Sequence, residues 1–382
     1  MRALHLTFLA LFFALSALPM VDRYWPIVPD PGLHGSVVTP EKVALSGASY
    51  FDGTFQQAFE KGFDAALAVR SALVRSDNEL NLRAFHEFSP SAGTPLVLGK
   101  QGNIFEKKYV DDYNRRDVVP AAALESKVQR LKLLQDYVEA HGSTLLVVIS
   151  PSKALVYPEL LPEKFVYDER LSVPHDYPVF VSLLEKYGVN FLDAQRFLTD
   201  AKTSSPFRWF SKTGGHWNDP AVCLVTAQIQ QFIQRRLQEP GLELHCDAYT
   251  MKPPVRQDRD LLDVANVWSE ASLALPVPYM DARVEARGRL QRPSVLFVGS
   301  SFVWHILDYV NRYNLHRRDT FYYYYKARMS YPGGKSTIDP KRLDWRGEVF
   351  AKQAIVIEVN ASVVDQVGFG FLEDAERVIR AP

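Results

Sequence analysis

The sequence has little cysteine and no surplus of charge of either sign. Among 382 residues only Cys223 and Cys246 are cysteines, which excludes a disulfide-dense scaffold and a four-cysteine zinc site. Lys and Arg number 44 and Asp and Glu 44, so the basic excess that tracks nucleic-acid phosphates is missing and no nucleic-acid partner is expected. No histidine pair stands at metal-ligand spacing, and there is no fixed-period repeat or low-complexity tract. Cofactor loops fail as well. Gly333-Gly334-Lys335-Ser336-Thr337 imitates the end of a phosphate-binding loop, but the earlier glycine such a loop needs is Met329. Gly368-Phe369-Gly370 lacks the preceding strand and third glycine of a dinucleotide site. No cofactor and no metal are expected.

One long apolar run is present, residues 3–21, broken only by His5, Thr7 and Ser16 and preceded by Arg2. At about 1.5 Å per residue it would nearly cross a hydrocarbon core of about 30 Å. A basic start before an apolar run also describes a secretory signal peptide, so residues 1–21 are either a signal anchor or a cleaved signal. In both cases the rest of the chain is exported. An oxidising compartment permits a Cys223–Cys246 bridge; the alternative is one buried thiol on the helix after His216 and one loop thiol.

Residues 22–45 carry Pro26, Pro29, Pro31 and Pro40 and read as a tether, leaving 46–382 as one domain. Phe55, Phe59 and Phe63 recur every four residues, extended by Ala66, Val69 and Leu73, the stripe of an amphipathic helix used for packing. A helix over 122–141 stops at Gly142 before the apolar strand 144–149. The order returns: a helix over 175–187 before a strand 189–192, a strand 294–299 before a helix and a strand 320–325, and a strand 354–359 before a helix near 371–380. Continuous apolar strands alternating with helices predict an α/β fold, a three-layer parallel sheet between helices. Tyr322–Tyr325 read as an alternating, half-buried strand. Residues 239–293, poor in periodicity, read as a surface excursion.

In such a sheet, chemistry collects at the carboxyl ends of strands. Three strand ends are polar: Ser150-Pro151-Ser152-Lys153, Gly299-Ser300-Ser301-Phe302 and Glu358-Val359-Asn360. A serine between a strand and a helix exposes its hydroxyl beside backbone N–H groups that can hold an oxyanion, though a serine there also serves as a simple helix cap. A serine nucleophile needs a base, and His216 precedes Asn218-Asp219-Pro220, a helix start with Asp219 read as the cap. His305, one turn after Ser301, is the rival histidine and reads as a helix-face residue.

At these residues the chain resembles the SGNH-hydrolase-like proteins of exopolysaccharide O-acetylation, the AlgX/AlgJ type. The segment 55–85 is similar to that family's opening. Gly99-Lys100-Gln101-Gly102-Asn103-Ile104-Phe105 stands where members read GKDGWLF. Ser150–Lys153 with Tyr157-Pro158 matches their PSK…YPE, Lys212–Trp217 their K-T-D-x-H-W, and Gly299–Phe302 their G-D-S-F. Ile357–Asn360 and Gly368–Leu372 fit the tail, so the resemblance covers residues 45–380 in order.

The resemblance implies a serine acyltransferase with Ser301 as nucleophile and His216 as base. Two positions depart from the pattern: the Asp that orients the histidine is Gly214 here, and the Asp before the nucleophile is Ser300. Loss of an orienting carboxylate costs about 10⁴ in turnover in a triad hydrolase. Either another acid substitutes, with Glu358 at a neighbouring strand end as the candidate, or a slow Ser–His dyad remains, or the domain is silent and binds. The expected function is therefore an O-acetyltransferase acting on an exported, alginate-like polysaccharide through an acetyl-serine. The alternatives are a silent polysaccharide-binding or assembly component and a carbohydrate acetylesterase. The resemblance further implies a membrane-bound O-acyltransferase as acetyl donor and a periplasmic location, anchored in the inner membrane by the N-terminal helix.

Overall fold

The computed structural model describes residues 2–25, 29–35, 42–65, 68–89, 95–165, 174–238, 241–286, 292–330 and 334–381. Pro26 and Pro40 of the expected tether, Ala66 of the phenylalanine stripe and Gly333 lie outside them. The chain forms two compact units, Met1–Leu98 with Leu261–Leu273, and Gly99–Asp260 with Ala274–Pro382. The reading of 46–382 as one domain did not anticipate this division.

The first unit is helical. Helix Arg2–Tyr24 contains Leu4–Asp22, the one helix segment among the described residues long and apolar enough to cross a membrane. Asp22 is buried and accepts the Val69 N–H at 3.0 Å, at the start of helix Ala68–Phe85. Asn78 on that helix donates to the Ala265 carbonyl at 2.8 Å, and Arg75 pairs with Glu270 at 2.6 Å. Helix Thr54–Ala65 buries none of its residues. Its phenylalanines stack along their own helix instead, with centroids 6.2 and 6.3 Å apart, because residues four apart lie one above the other.

The second unit carries the sheet. Its strands are β1 (Thr144–Ser150), β2 (Phe191–Asp193), β3 (Ser294–Gly299), β4 (Arg318–Tyr323), β5 (Ala327–Ser330), β6 (Lys335–Thr337) and β7 (Ala354–Asn360), in the order β6-β5-β4-β3-β7-β1-β2. The five strands from β4 to β2 are parallel. β5 and β6 extend the edge antiparallel, a feature the sequence pattern did not disclose. One sheet face, with Val147, Ile149, Leu296, Val298, Ile355 and Ile357, packs under helices Ala121–Ala140, Asp176–Tyr187 and Phe371–Arg380. Helices Asp219–Leu237 and Val303–Arg312 pack against each other and also contact the sheet, so α/β layering follows the predicted alternation.

Two strand boundaries shift for local reasons. Gly188 is left-handed at φ 64° and Val189 N–H returns to Leu184 O at 3.0 Å, closing the helix and delaying β2 to residue 191. Tyr324 and Tyr325 adopt φ 46° and 51°, which ends β4 at Tyr323 and breaks the expected alternation. The described part of 239–293 forms two strand pairs that the periodicity did not announce. Leu242–His245 pairs with Arg283–Ala286, and Tyr249–Lys252 with Val277–Met280.

Cys223, on helix Asp219–Leu237, is joined to Cys246 by a disulfide. Closing a loop of this length stabilises the folded chain by about 3 kcal/mol. Cys223→Ser with Cys246→Ser is expected to lower the unfolding free energy by that amount, read as a fall in the urea midpoint, and an unchanged midpoint would show that the bridge carries no stability.

Candidate active site

β3, β7 and β1 are parallel neighbours, so Gly299, Asn360 and Ser150 end together at one sheet edge. All three polar strand ends meet there. Glu358 is fully buried and accepts Ser150 Oγ at 2.5 Å, Ser300 N–H at 2.8 Å and Ser300 Oγ at 2.8 Å. Burial raises its pKa, against the lowering effect of these hydrogen bonds. A Cβ on Gly299 would stand 2.7 Å from Glu358 Oε2 and 2.7 Å from Val303 Cγ2, so only glycine fits beneath the turn.

Ser301 occupies that turn, ahead of helix Val303–Arg312. Its Oγ lies 2.7 Å from His216 Nε2. His216 Nδ1 lies 2.5 Å from Asp260 Oδ2, and Asp260 Oδ1 accepts the Gly215 N–H at 2.8 Å. A carboxylate facing Nδ1 keeps the proton on that nitrogen and leaves Nε2 to accept from the serine hydroxyl. Burial alone would lower the His216 pKa. The charge and hydrogen bond of Asp260, helped by Glu106 and Glu358, outweigh burial and raise it.

The acid beside His216 is thus Asp260, correcting the assignment of Glu358. Glu358 is committed to Ser150 and Ser300 across the sheet edge, whereas Asp260 arrives in the 239–293 excursion. Nothing local distinguished it: Asp258 and Asp263 stand two and three residues away in a stretch without periodicity. The signal was indirect, in Gly214. A Cβ there would lie 2.2 Å from Gln257 O, 2.8 Å from Ser211 Oγ and 3.0 Å from the Asp258 carbonyl carbon. The segment that delivers Asp260 fills the space an aspartate at 214 would need.

Hydrogen bonds fix both segments. Ser211 Oγ donates to Asp258 O, Thr213 Oγ1 to the same carbonyl at 2.8 Å, and Tyr279 OH to Asp258 Oδ2 at 2.7 Å. Lys153 is buried, and its Nζ contacts the carbonyls of Ile104, Ser211, Lys212 and Gly214 at 2.8, 2.8, 3.0 and 2.9 Å. Burial pushes its pKa down to about 7, so its place is a backbone clamp on the loop that carries His216.

One further reading changes. The cap of helix Asp219–Leu237 is Asn218, whose side chain accepts the Ala221 N–H at 3.4 Å. Asp219 instead accepts Met280 N–H and Tyr309 OH, both at 2.6 Å. His305 packs its ring 5.3 Å from that of His216, and burial, then the neighbouring imidazole, holds its pKa well below the usual range. Serine, histidine and aspartate line a cavity of about 150 Å³ with Glu106, Tyr109, Tyr324 and Phe369. Glu243, His245 and Glu285 form the one candidate metal-ligating group among the described residues, and they lie outside this cavity.

Comparison with known proteins gives the family. The family model described as SGNH hydrolase-like domain, acetyltransferase AlgX, matches residues 96–316. The probable alginate O-acetylase AlgJ of Pseudomonas aeruginosa is 24% identical over 196 residues, 51% of this chain and 44% of that protein. The match therefore spans less than half the length of that relative. Among solved structures, the O-acetyltransferase domain of Pseudomonas putida AlgJ aligns with TM-score 0.48 and 16% identity, covering 74% of this chain and 99% of that one. Pseudomonas aeruginosa AlgX aligns with TM-score 0.45 and 13% identity, covering 75% and 72%. With more than half of its length matched, the chain belongs to the family of SGNH hydrolase-like domains of the acetyltransferase AlgX type.

Proposed function

We propose that this protein is an exported O-acetyltransferase that moves acetyl groups onto a polysaccharide through an acetyl-Ser301 intermediate. The observation that carries the reading is the continuous hydrogen-bonded relay from Ser301 Oγ through His216 to Asp260. Ser301 Oγ attacks the acetyl carbonyl carbon while His216 Nε2 takes its proton and Asp260 stabilises the imidazolium. The backbone N–H of Ser301 stabilises the developing oxyanion in this reading, since those of Phe302, Val303 and Trp304 are bonded to Ser300 Oγ, Ser300 O and Ser301 O. As the tetrahedral adduct collapses, the leaving group takes the proton from His216 and acetyl-Ser301 remains. A sugar hydroxyl then attacks the ester carbon, gives its proton to His216, and Ser301 leaves with that proton restored.

The apolar segment Leu4–Asp22 and the disulfide support export to an oxidising compartment, and we place the protein in the periplasm, anchored through that helix. A membrane-bound O-acyltransferase supplies the acetyl group in this reading. The silent-binding alternative drew on the missing acid at position 214, and the Asp260–His216 hydrogen bond removes that motive. An acetylesterase shares the same acyl-enzyme and differs only in water as acceptor.

Ser301→Ala is expected to abolish polymer acetylation in cells while leaving protein level unchanged; undiminished acetylation would refute catalysis by this chain. Measuring acetylated sugar against free acetate from the purified protein separates transfer from hydrolysis. Because the base must be neutral, the rate is expected to rise with pH as His216 loses its proton, with a midpoint above about 6.5. Asp260→Asn removes the main group that raises this pKa. It should move the midpoint to lower pH and cut turnover by about 10³–10⁴. Gly214→Asp, which restores the family's pattern, is expected to lower activity and cost about 1–3 kcal/mol of stability through overpacking, read by thermal unfolding.

A further inference from the structure

Glu106 ends strand Ile104–Glu106 and stands at the N-cap of helix Lys107–Tyr113, yet its side chain makes no capping hydrogen bond. It lines the cavity that holds Ser301 and His216. Tyr109, three residues on and so on the same face of the helix, lines it too. Among the described residues Glu106 forms no hydrogen bond or ion pair, although it is only half-exposed. The backbone holding it is fixed to the catalytic loop: Ile104 N–H donates to Lys212 O at 2.8 Å, and Ile104 O accepts Lys153 Nζ at 2.8 Å. An unpaired carboxylate held against a serine–histidine pair is built to accept hydrogen bonds from something that enters the cavity.

The charges facing Glu106 are those of His216, Lys108 and Asp260. Asp260 is engaged with His216, and Lys108 is exposed at the rim. Burial raises the Glu106 pKa, with His216 and Lys108 opposing and Asp260 adding to the rise. Opposite them Tyr324, turned off its strand at φ 46°, meets Phe369 edge-on with centroids 4.7 Å apart. These rings offer a wall for the C–H face of a sugar. Among the described residues that line the cavity there is no arginine to fork onto a carboxylate, and the one lysine is the exposed Lys108.

We propose that Glu106, with Tyr109, binds the acceptor, and that the sugar residue acetylated is neutral and hydroxyl-rich rather than a uronate. This rests on the acetyltransferase reading. The Glu106 carboxylate accepts hydrogen bonds from hydroxyls flanking the attacking one, and the Tyr109 hydroxyl donates to a sugar oxygen. A sugar carboxylate in the same place would meet Glu106 and Asp260 with like charge.

The test uses the purified full chain, a chromogenic acetyl ester as donor, and neutral hexose oligosaccharides beside uronic-acid oligosaccharides of matched length and linkage. Wild-type protein is expected to acetylate the neutral series at least tenfold better in kcat/KM. Glu106→Gln should raise the acceptor KM about tenfold with a smaller change in kcat. It should also move the rising limb of the pH profile to lower pH, since Glu106 helps to raise the His216 pKa. Tyr109→Phe, which keeps the ring, should raise the acceptor KM severalfold and serves as the second variant if Glu106→Gln does not fold. A uronate preference, equal use of both series, or unaltered acceptor KM in the folded variants overturns the proposal while leaving the acetyl-serine reading intact. Transfer that survives Ser301→Ala overturns that reading instead, and ester cleavage with no sugar product in either series overturns both the transfer reading and the acceptor site.

Discussion

The hydrogen bond between His216 Nδ1 and Asp260 is the constraint around which this site is arranged. It fixes the tautomer that turns Nε2 toward Ser301, and it requires two distant segments to meet with little tolerance. That meeting joins the His216 loop to the first residue of helix Asp260–Ala265. It is enforced by Lys153, whose ammonium gathers four carbonyls of the histidine loop and its neighbour strand, and by Ser211 and Thr213, which bind the Asp258 carbonyl. An unsatisfied buried carbonyl or ammonium is expensive, so each of these contacts resists displacement of the others. Gly214 is the steric counterpart, since the absence of a side chain lets the acidic segment lie against the loop.

Both departures from the family's pattern have the same physical resolution. Where the family carries an aspartate before its histidine, this chain has Gly214 and takes the carboxylate from Asp260. Where the family carries an aspartate before its serine, this chain has Ser300, which binds Glu358 from the adjacent strand. In each case a carboxylate reaches the site from a different part of the chain, and a small residue occupies the vacated position. A site of this kind is specified by where charges and protons sit in space, and the segment that supplies them is exchangeable as long as the packing closes around it.

The sheet and the helices on its faces were legible because burial on both faces forces continuous apolar strands, and amphipathic helices between them carry a periodic stripe. Strands 144–150, 294–299 and 354–360 fall within one residue of the pattern, and so do helices 121–140 and 371–380. Boundaries at Val189 and Tyr324 were not legible, because left-handed residues there respond to local hydrogen bonds rather than to hydrophobicity. Ser301 and His216 could be singled out because a strand–serine–helix junction and a loop histidine before a helix start are local patterns. Asp260 could not, since an aspartate in an aperiodic stretch looks the same whether it faces solvent or an imidazole. The antiparallel strands β5 and β6 were too short and too polar to announce themselves.

The sequence by itself determined the apolar N-terminal segment, the parallel core, and the chain positions of the hydroxyl and the imidazole. These follow from composition and spacing over a few neighbouring residues. Tertiary structure alone decided which carboxylate meets His216, that Glu358 turns to the serines, that the cysteines are joined, and which side chains close the cavity. Such choices depend on which distant segments compete for one volume, and that competition has no trace in local order.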